Sequence, residues 1–257
     1  MRQILLLNGG AMSNDDFDFA SKIGDIEDDL DLTLYADAKE LADEVVLQSL
    51  QSISEGLLKR GRFDLALTGG TLGLAISTKL VVNLNQNLHD YEGLHIWWSD
   101  ERFVAAGSEE RNAKPFHGNL LNSNVVVHEV LASDETADAN SALLDYEKSL
   151  ADVTLDLVIL GVGPDGHVAS LFPNAVNVDD LRKVIMITDS PKPPPVRISF
   201  TMKMINSSSR VWLVANGESK AEAVTKIIEA DLSIPASHVR GTAHTRLIVD
   251  TEAFFAE

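Results

Sequence analysis

Cysteine is absent from the 257 residues. That excludes disulfides, thiolate nucleophiles and Cys-ligated zinc or iron–sulfur centres, and it is compatible with a reducing compartment. Long apolar runs are absent too. Ile4 to Leu7 is typical of the longest, far from the ~20 residues that span a bilayer. The N-terminus lacks the basic start and apolar stretch of a secretory leader, so a cytoplasmic location is expected. Positive charge is scarce, with 21 Lys and Arg against 39 Asp and Glu and a net charge of −18. Nucleic acid and membrane surfaces are therefore not expected as partners, since phosphate backbones and anionic head groups are met by surplus Lys and Arg. Hydrophobic residues, at 45 %, are plentiful and charged ones make up only 23 %, which excludes wholesale disorder and predicts a sizeable core.

The acids are unevenly spread. Between residues 9 and 31 stand Asp15, Asp16, Asp18, Asp25, Glu27, Asp28, Asp29 and Asp31 against a single Lys22. Such a run reads as a solvated, partly mobile arm, so the chain divides into an acidic arm, 1–31, and one folded domain, 32–257. Whether Gln3 to Leu7 adds a strand is left open.

From Leu32 the pattern is regular. Leu32–Tyr35 reads as a strand. Asp37 stands three residues before Glu40, the spacing of a capping box, and helical periodicity runs from 38 to 60, ending at Gly61. Strands are expected at 63–67, 94–98, 125–127, 155–160, 184–187, 197–200, 210–214 and 247–249. Helices are expected at 72–84, 111–121, 135–150 and 218–230. Leu155–Leu160 is apolar at almost every position, as in a strand covered on both faces. The alternation predicts an α/β fold: a largely parallel open sheet with helices on both faces, Rossmann-like, in one domain. The proline run Pro191-Lys192-Pro193-Pro194-Pro195 is expected to hold the backbone extended before Arg197.

Ligands of open parallel sheets bind outside the carboxyl ends of the strands, and three turns there carry unusual residues. Thr68-Gly69-Gly70-Thr71 leads into a helix, whose free N–H groups make Gly69, Gly70 and Thr71 a phosphate cradle. It is not a Walker A loop, because no Gly-Lys-Ser/Thr follows. Asp100-Glu101-Arg102, read as a charged turn, offers Arg102 as a forked anion clamp and a carboxylate as orienter or acid–base group. Gly161-Val162-Gly163-Pro164-Asp165-Gly166-His167 delivers Asp165 and His167 on a glycine-rich loop, a setting that favours a catalytic histidine. The other six histidines have no such setting. Arg197, after the prolines, and Lys220, in the first turn of a helix where its charge opposes the dipole, are further candidate anion ligands.

With these pieces in view, the chain resembles the 6-phosphogluconolactonases and their glucosamine-6-phosphate deaminase relatives. The matching stretches are Leu67–Thr71, Asp100–Val104, Gly161–Pro173, Pro191–Arg197 and Gly217–Ala221, spread over residues 32–250. Asp165-Gly166-His167-Val168-Ala169-Ser170-Leu171-Phe172-Pro173 follows the lactonase pattern, whereas the deaminases continue into Ala-Phe-Asn-Glu-Pro. Two departures stand out. The family's Ser-Gly-Gly-Ser-Thr-Pro turn reads Thr68-Gly69-Gly70-Thr71-Leu72-Gly73 here, and Ala105 replaces a common proline.

The resemblance implies a sugar-phosphate isomerase/lactonase-type fold and hydrolysis of 6-phospho-D-glucono-1,5-lactone in the oxidative pentose phosphate pathway. The substrate would be a small phosphosugar lactone, with no metal or other cofactor, in a monomer or small homo-oligomer. His167 would act as general base, Asp165 or Asp100 as orienter, and Arg102, Arg197, Lys220 and the glycine turn as anion ligands. Which cation meets the phosphate and which the carbonyl stays open. A sugar-phosphate isomerase or deaminase of the same fold is the alternative enzyme. A sugar-phosphate sensor of the kind found in transcription regulators is the non-enzymatic one, although residues 1–31 are too short and too acidic for its DNA-binding helices.

Overall fold

The computed structural model describes residues 30–173 and 180–255, together with the backbone of a two-residue strand, β1 (Leu5–Leu6). The rest of the expected acidic arm lies outside the described residues. Its last two residues, Leu30 and Asp31, begin strand β2 (Leu30–Tyr35) and so belong to the folded domain. β1 pairs with β2 in parallel, Leu5 opposite Thr33.

Helix α1 (Ala38–Arg60) has the bounds its periodicity predicts. Asp37 accepts the Glu40 N–H at 2.8 Å, Glu40 accepts the Ala36 N–H at 2.9 Å, and Gly61 closes the helix in the left-handed conformation at φ 68°. Strand β3 (Phe63–Leu67) and helix α2 (Gly70–Gln86) follow, then β4 (Leu94–Trp98) and β5 (Asp100–Arg102). After them come β6 (Val126–Val127), α3 (Ala139–Ser149) and β7 (Leu157–Gly161). The last third holds β8 (Val184–Ile187), β9 (Arg197–Phe200), α4 (Met202–Asn206), β10 (Arg210–Ala215), α5 (Ala221–Ile228), β11 (His244–Asp250) and α6 (Thr251–Phe255).

Eight strands form one wholly parallel sheet in the order β1-β2-β11-β10-β7-β3-β4-β6. The chain leaves β3 towards β4 on one side and leaves β7 towards β10 on the other. The strand order therefore switches between β3 and β7, and a crevice opens there at the carboxyl ends. Alternate side chains of each central strand enter different cores. Leu157 and Ile159 of β7 join Leu41, Ile53, Ile76 and Leu80 of α1 and α2 on one face. Val158 and Leu160 join Tyr146, Val224 and Phe200 on the other. Fully burying such a side chain is worth about 1.5–3 kcal/mol, which accounts for a strand with no polar alternation.

Three expectations are corrected. Residues 111–121 form hydrogen-bonded turns, not a helix. The N–H groups of Asn112 and Ala113 are drawn to the buried Glu101 carboxylate at 2.7 and 2.9 Å, and Pro115 has no N–H to give. Asp100–Arg102 is not a turn but a strand. It pairs antiparallel with β9, which also pairs with β8, so the segments 184–187 and 197–200 form a second, three-stranded sheet of order β5-β9-β8 instead of joining the main one. The proline run is not extended. The Ser190 N–H reaches the Pro195 carbonyl at 3.1 Å, and the carbonyls of Lys192, Pro193 and Pro194 turn inward onto the Arg197 guanidinium at 2.9, 3.3 and 3.2 Å. Among the described residues no helix is long and apolar enough to cross a membrane.

Candidate active site

A cleft of about 640 Å³ lies at the switch point, walled by the turns after β3 and β7, the end of β10 and the second sheet. The glycine-rich loop after β7 is closed on itself: Gly163 N–H donates to the His167 carbonyl and Gly166 N–H to the Gly163 carbonyl, both at 2.9 Å. A Cβ at position 163 would overlap the His167 ring and the Asp165 carboxylate, so only glycine lets the ring lie back across its own loop. There His167 Nδ1 hydrogen-bonds Asp165 Oδ1, and the ring packs on Phe172 with centroids 4.6 Å apart. Nε2 has no partner among the described residues. Burial pushes the imidazole below the ordinary histidine value, outweighing the opposing pull of Asp165. Asp165 itself sits below the ordinary aspartate value. Its burial acts upward, but the His167 hydrogen bond and charge outweigh it. At neutral pH the pair is thus a carboxylate accepting from a neutral imidazole whose second nitrogen keeps its lone pair.

The second sheet supplies the opposite wall. Asp100 is buried and accepts from Ser170 Oγ at 2.7 Å and Asn112 Nδ2 at 3.0 Å, with Arg197 Nη1 at 3.8 Å. The Ser170 backbone N–H also donates to Ser199 Oγ at 3.1 Å, so the segment that follows His167 is pinned to this sheet. Arg197 is 4 % exposed. Two of its three nitrogens are committed to proline-run carbonyls, and it stands directly opposite Arg102 across the strands. Like charges in such a pair repel, and the Arg197 guanidinium is held below its ordinary value, chiefly by burial. Arg102 donates from Nη1 to the Glu110 carbonyl at 2.5 Å, while its Nε is buried without a partner among the described residues. Glu101 faces inward and organises the backbone of 112–113. Burial raises its carboxyl above the ordinary value.

The third wall is the start of α2. Gly69 caps the helix without any side-chain hydrogen bond, and the first turn has no acid. Its N–H groups and the positive end of the dipole are open to an anion. A Cβ at Gly69 would overlap the Asn112 side chain, which explains the glycine. Thr68 Oγ1 accepts the Gly161 N–H at 3.2 Å, joining this turn to the histidine loop. Lys220 ends a 3₁₀ turn, Glu218–Lys220, ahead of α5. Its ammonium lies below the ordinary lysine value through burial, reinforced by nearby Lys192.

Every residue singled out from the sequence meets at this cleft. Asp100, Arg102, Gly69, Gly70, Thr71, His167, Arg197 and Lys220 line it, and Asp165 backs His167. Sequence reasoning missed Lys192, Asn112 and Ser170. Lys192 lies in the proline run, expected only to hold the backbone extended before Arg197, though a lysine flanked by prolines just ahead of an arginine strand is a usable signal. Asn112 has none, because the helical periodicity expected at 111–121 conceals the turn that brings it in.

An open parallel sheet with a cation-lined cleft and a carboxylate-backed imidazole at its switch point defines an α/β protein built to act on small anions. More particularly, the chain belongs to the family of glucosamine-6-phosphate isomerases/6-phosphogluconolactonase, which it matches over residues 36–249. It is 35 % identical over 241 residues to the 6-phosphogluconolactonase of Streptomyces coelicolor, covering 86 % of this chain and 92 % of that one. With the 6-phosphogluconolactonase of Mycobacterium tuberculosis the identity is 36 % over 219 residues, covering 79 % and 88 %. The crystal structure of 6-phosphogluconolactonase from Thermotoga maritima superposes with a TM-score of 0.75 at 27 % identity, covering 86 % of this chain and all of that one. A monomeric glucosamine-6-phosphate deaminase shares the fold, with a TM-score of 0.70 at 18 % identity over 86 % and 98 % of the two chains.

Proposed function

We propose that this protein hydrolyses 6-phospho-D-glucono-1,5-lactone to 6-phospho-D-gluconate in the oxidative pentose phosphate pathway, with His167 activating the water. The observation that carries the reading is the Asp165–His167 pair: a neutral imidazole, oriented through Nδ1, with Nε2 unpartnered at the wall of a cation-lined cleft. Nε2 takes a proton from water as the water oxygen bonds to the lactone carbonyl carbon. The charge that develops on the carbonyl oxygen is met by backbone N–H groups or a cation. The intermediate collapses by breaking the bond between that carbon and the ring oxygen, and the imidazolium returns its proton to the ring oxygen. The products are a hydroxyl and a carboxylic acid, which releases one proton to solvent and becomes the carboxylate.

The anion ligands divide by position. Lys220 and Lys192 stand on the histidine side, with the N–H groups of Gly70 and Thr71 at the helix start, and these hold the phosphate. Arg102 reaches in from the second sheet. Arg197 acts through others: its fork fixes the Lys192 backbone and faces Asp100, which in turn holds Ser170 and the loop that carries His167. The cycle as drawn uses no metal.

The test is a pair of assays on the purified protein, freshly generated phosphogluconolactone against glucosamine 6-phosphate, with spontaneous lactone hydrolysis subtracted. Catalysed 6-phosphogluconate formation, unchanged after dialysis against EDTA, is expected, with no ammonia from the amino sugar. Ammonia release would replace the proposal with deamination. A rate lost to EDTA and restored by zinc or magnesium would replace the metal-free route.

A further inference from the structure

Strands covered on both faces of a parallel sheet carry apolar side chains. β10 and β11 do so in their carboxyl halves, where Val214 and Ile248 pack in the α1 core. In their amino halves the same face is polar. Arg210 and Trp212 of β10 stand beside His244 and Arg246 of β11, in register residue for residue, and Asp31 of β2 stands beside Arg246. With Gln48 and Ser52 of α1 above them, these side chains line a cavity of about 550 Å³, at the opposite end of the strands from the cleft.

The two arginines are held in place but not neutralised by the groups that hold them. Arg210 donates to Ser52 Oγ at 3.1 Å. Arg246 donates to Gln48 Oε1 at 2.6 Å and Thr33 Oγ1 at 2.9 Å. All three acceptors are neutral, and neither guanidinium has an ion pair among the described residues. Each lies over an aromatic ring, Arg210 5.8 Å from the Phe63 centroid and Arg246 5.3 Å from that of Trp212. Trp212, 3 % exposed, keeps its indole N–H buried and without a partner among the described residues. Asp31 is engaged by His244 Nε2. Two carboxylates, Asp31 and Glu55, also line the cavity, and the Asp31 charge acts on Arg246. Neither forms an ion pair with a guanidinium among the described residues, so both arginines keep N–H groups for a further anion.

We propose that this chamber is a second anion site, which binds a phosphate group. The two guanidiniums spring from diagonal neighbours on adjacent strands, about 8 Å apart at the backbone from strand spacing and rise. Guanidiniums converging from two strands suit a tetrahedral phosphate, whose oxygens point in several directions and accept from two forks at once, better than a planar carboxylate. The cavity exceeds the ion itself, leaving room for the body of a small phosphate monoester, and its binding does not depend on the activity proposed for the cleft.

Calorimetry with inorganic phosphate and with glycerol 3-phosphate on the full chain tests this. Two anion sites are expected. Arg210→Gln and Arg246→Gln should each weaken one of them by about tenfold or more and spare the other, which Lys220→Ala should weaken instead. Tighter binding of glycerol 3-phosphate at the arginine-dependent site assigns it to an organic monoester, and equal or tighter binding of phosphate assigns it to the free ion. A single-site isotherm, or two sites indifferent to both arginine variants, would overturn the proposal. Hydrogen exchange on the wild-type chain decides the matter even if the variants fold poorly. Phosphate should protect residues 210–212 and 244–246, and protection confined to 69–72 and 217–220 would refute a second site.

Discussion

The central strands of the parallel sheet bury apolar side chains on both faces, whereas the three antiparallel strands carry Asp100, Arg102 and Arg197 along one seam. The first sheet is scaffold: it fixes where the strands end and therefore where the cleft opens. The second sheet buries Ile198 and Phe200 in the core with alternate residues and gives its other positions to a network of buried charge, which reaches the histidine loop through Ser170. Apolar scaffold and charged network are thus separated by position. The separation makes a claim that substitution can test, since a cut in the scaffold should cost stability and a cut in the network should cost function as well.

The largest effect is expected where both sheets converge. His167→Ala removes the proposed base and ring-oxygen acid while leaving the cations in place. General acid–base catalysis typically contributes ~10²–10⁴-fold, so kcat should fall by that much with little change in 6-phosphogluconate binding by calorimetry. A near-normal kcat, or a loss of binding as severe as that of Arg102→Ala, would make His167 an anchor. The acid limb of the pH profile reports the same group. Because burial holds its pKa below the ordinary histidine value, activity should persist to a lower pH than a solvent-exposed histidine would allow, and fall as the imidazole gains its proton.

A smaller effect separates the sheets directly. Arg197→Lys keeps the charge but loses the fork that gathers the carbonyls of the proline run. Each hydrogen bond to a charged group is worth about 1.5–3 kcal/mol, so chemical denaturation should register a loss of that order, and KM should rise as Lys192 shifts. Leu160→Ala, in the parallel sheet, should cost about 2–5 kcal/mol and leave KM unchanged. Equal KM values in the two variants would remove Arg197 from the positioning of the site.

The same division governs what could be read from the chain. The parallel strands and α1 were legible because apolar runs and a capped helical period each admit one reading, as at Leu155–Leu160 and Asp37–Gly61. The site residues were legible because glycine and charge are costly at strand ends unless used. The second sheet was not. Asp100–Arg102 is too short and too charged for a strand pattern, and its pairing with residues almost a hundred positions later leaves no local mark. The turns at 111–121 were lost for a related reason: Glu101, ten or more residues upstream, captures the N–H groups that a helix would have used.

The smallest effect lies far from the cleft, on the parallel sheet, and should touch stability without touching chemistry. His128 Nε2 and His95 Nδ1 are 2.9 Å apart, and the His128 ring stacks on Trp97 with centroids 3.7 Å apart. Burial, with a contribution from His95, lowers the His128 pKa to about 4, and burial lowers His95 in the same direction. An unfolded histidine titrates near 6.5. Above that value both states carry a neutral ring and the contribution to stability is complete. Between about 6.5 and 4 the unfolded chain binds a proton that the folded chain refuses, so stability falls as the pH falls, by at most about 1.4 kcal/mol per pH unit for one such ring. Below about 4 both states are protonated and this contribution is spent. His128→Phe keeps a ring on Trp97 and removes the titration. Urea denaturation between pH 7 and 4 should therefore give a shallower loss of stability than wild type. With His167 as the proposed base setting the acid limb, His128→Phe should leave the pH profile of kcat where it was. Parallel stability curves for His128→Phe and wild type would show that the stacked pair does not resist protonation, and a shifted kcat profile would show that the scaffold and the site are not independent.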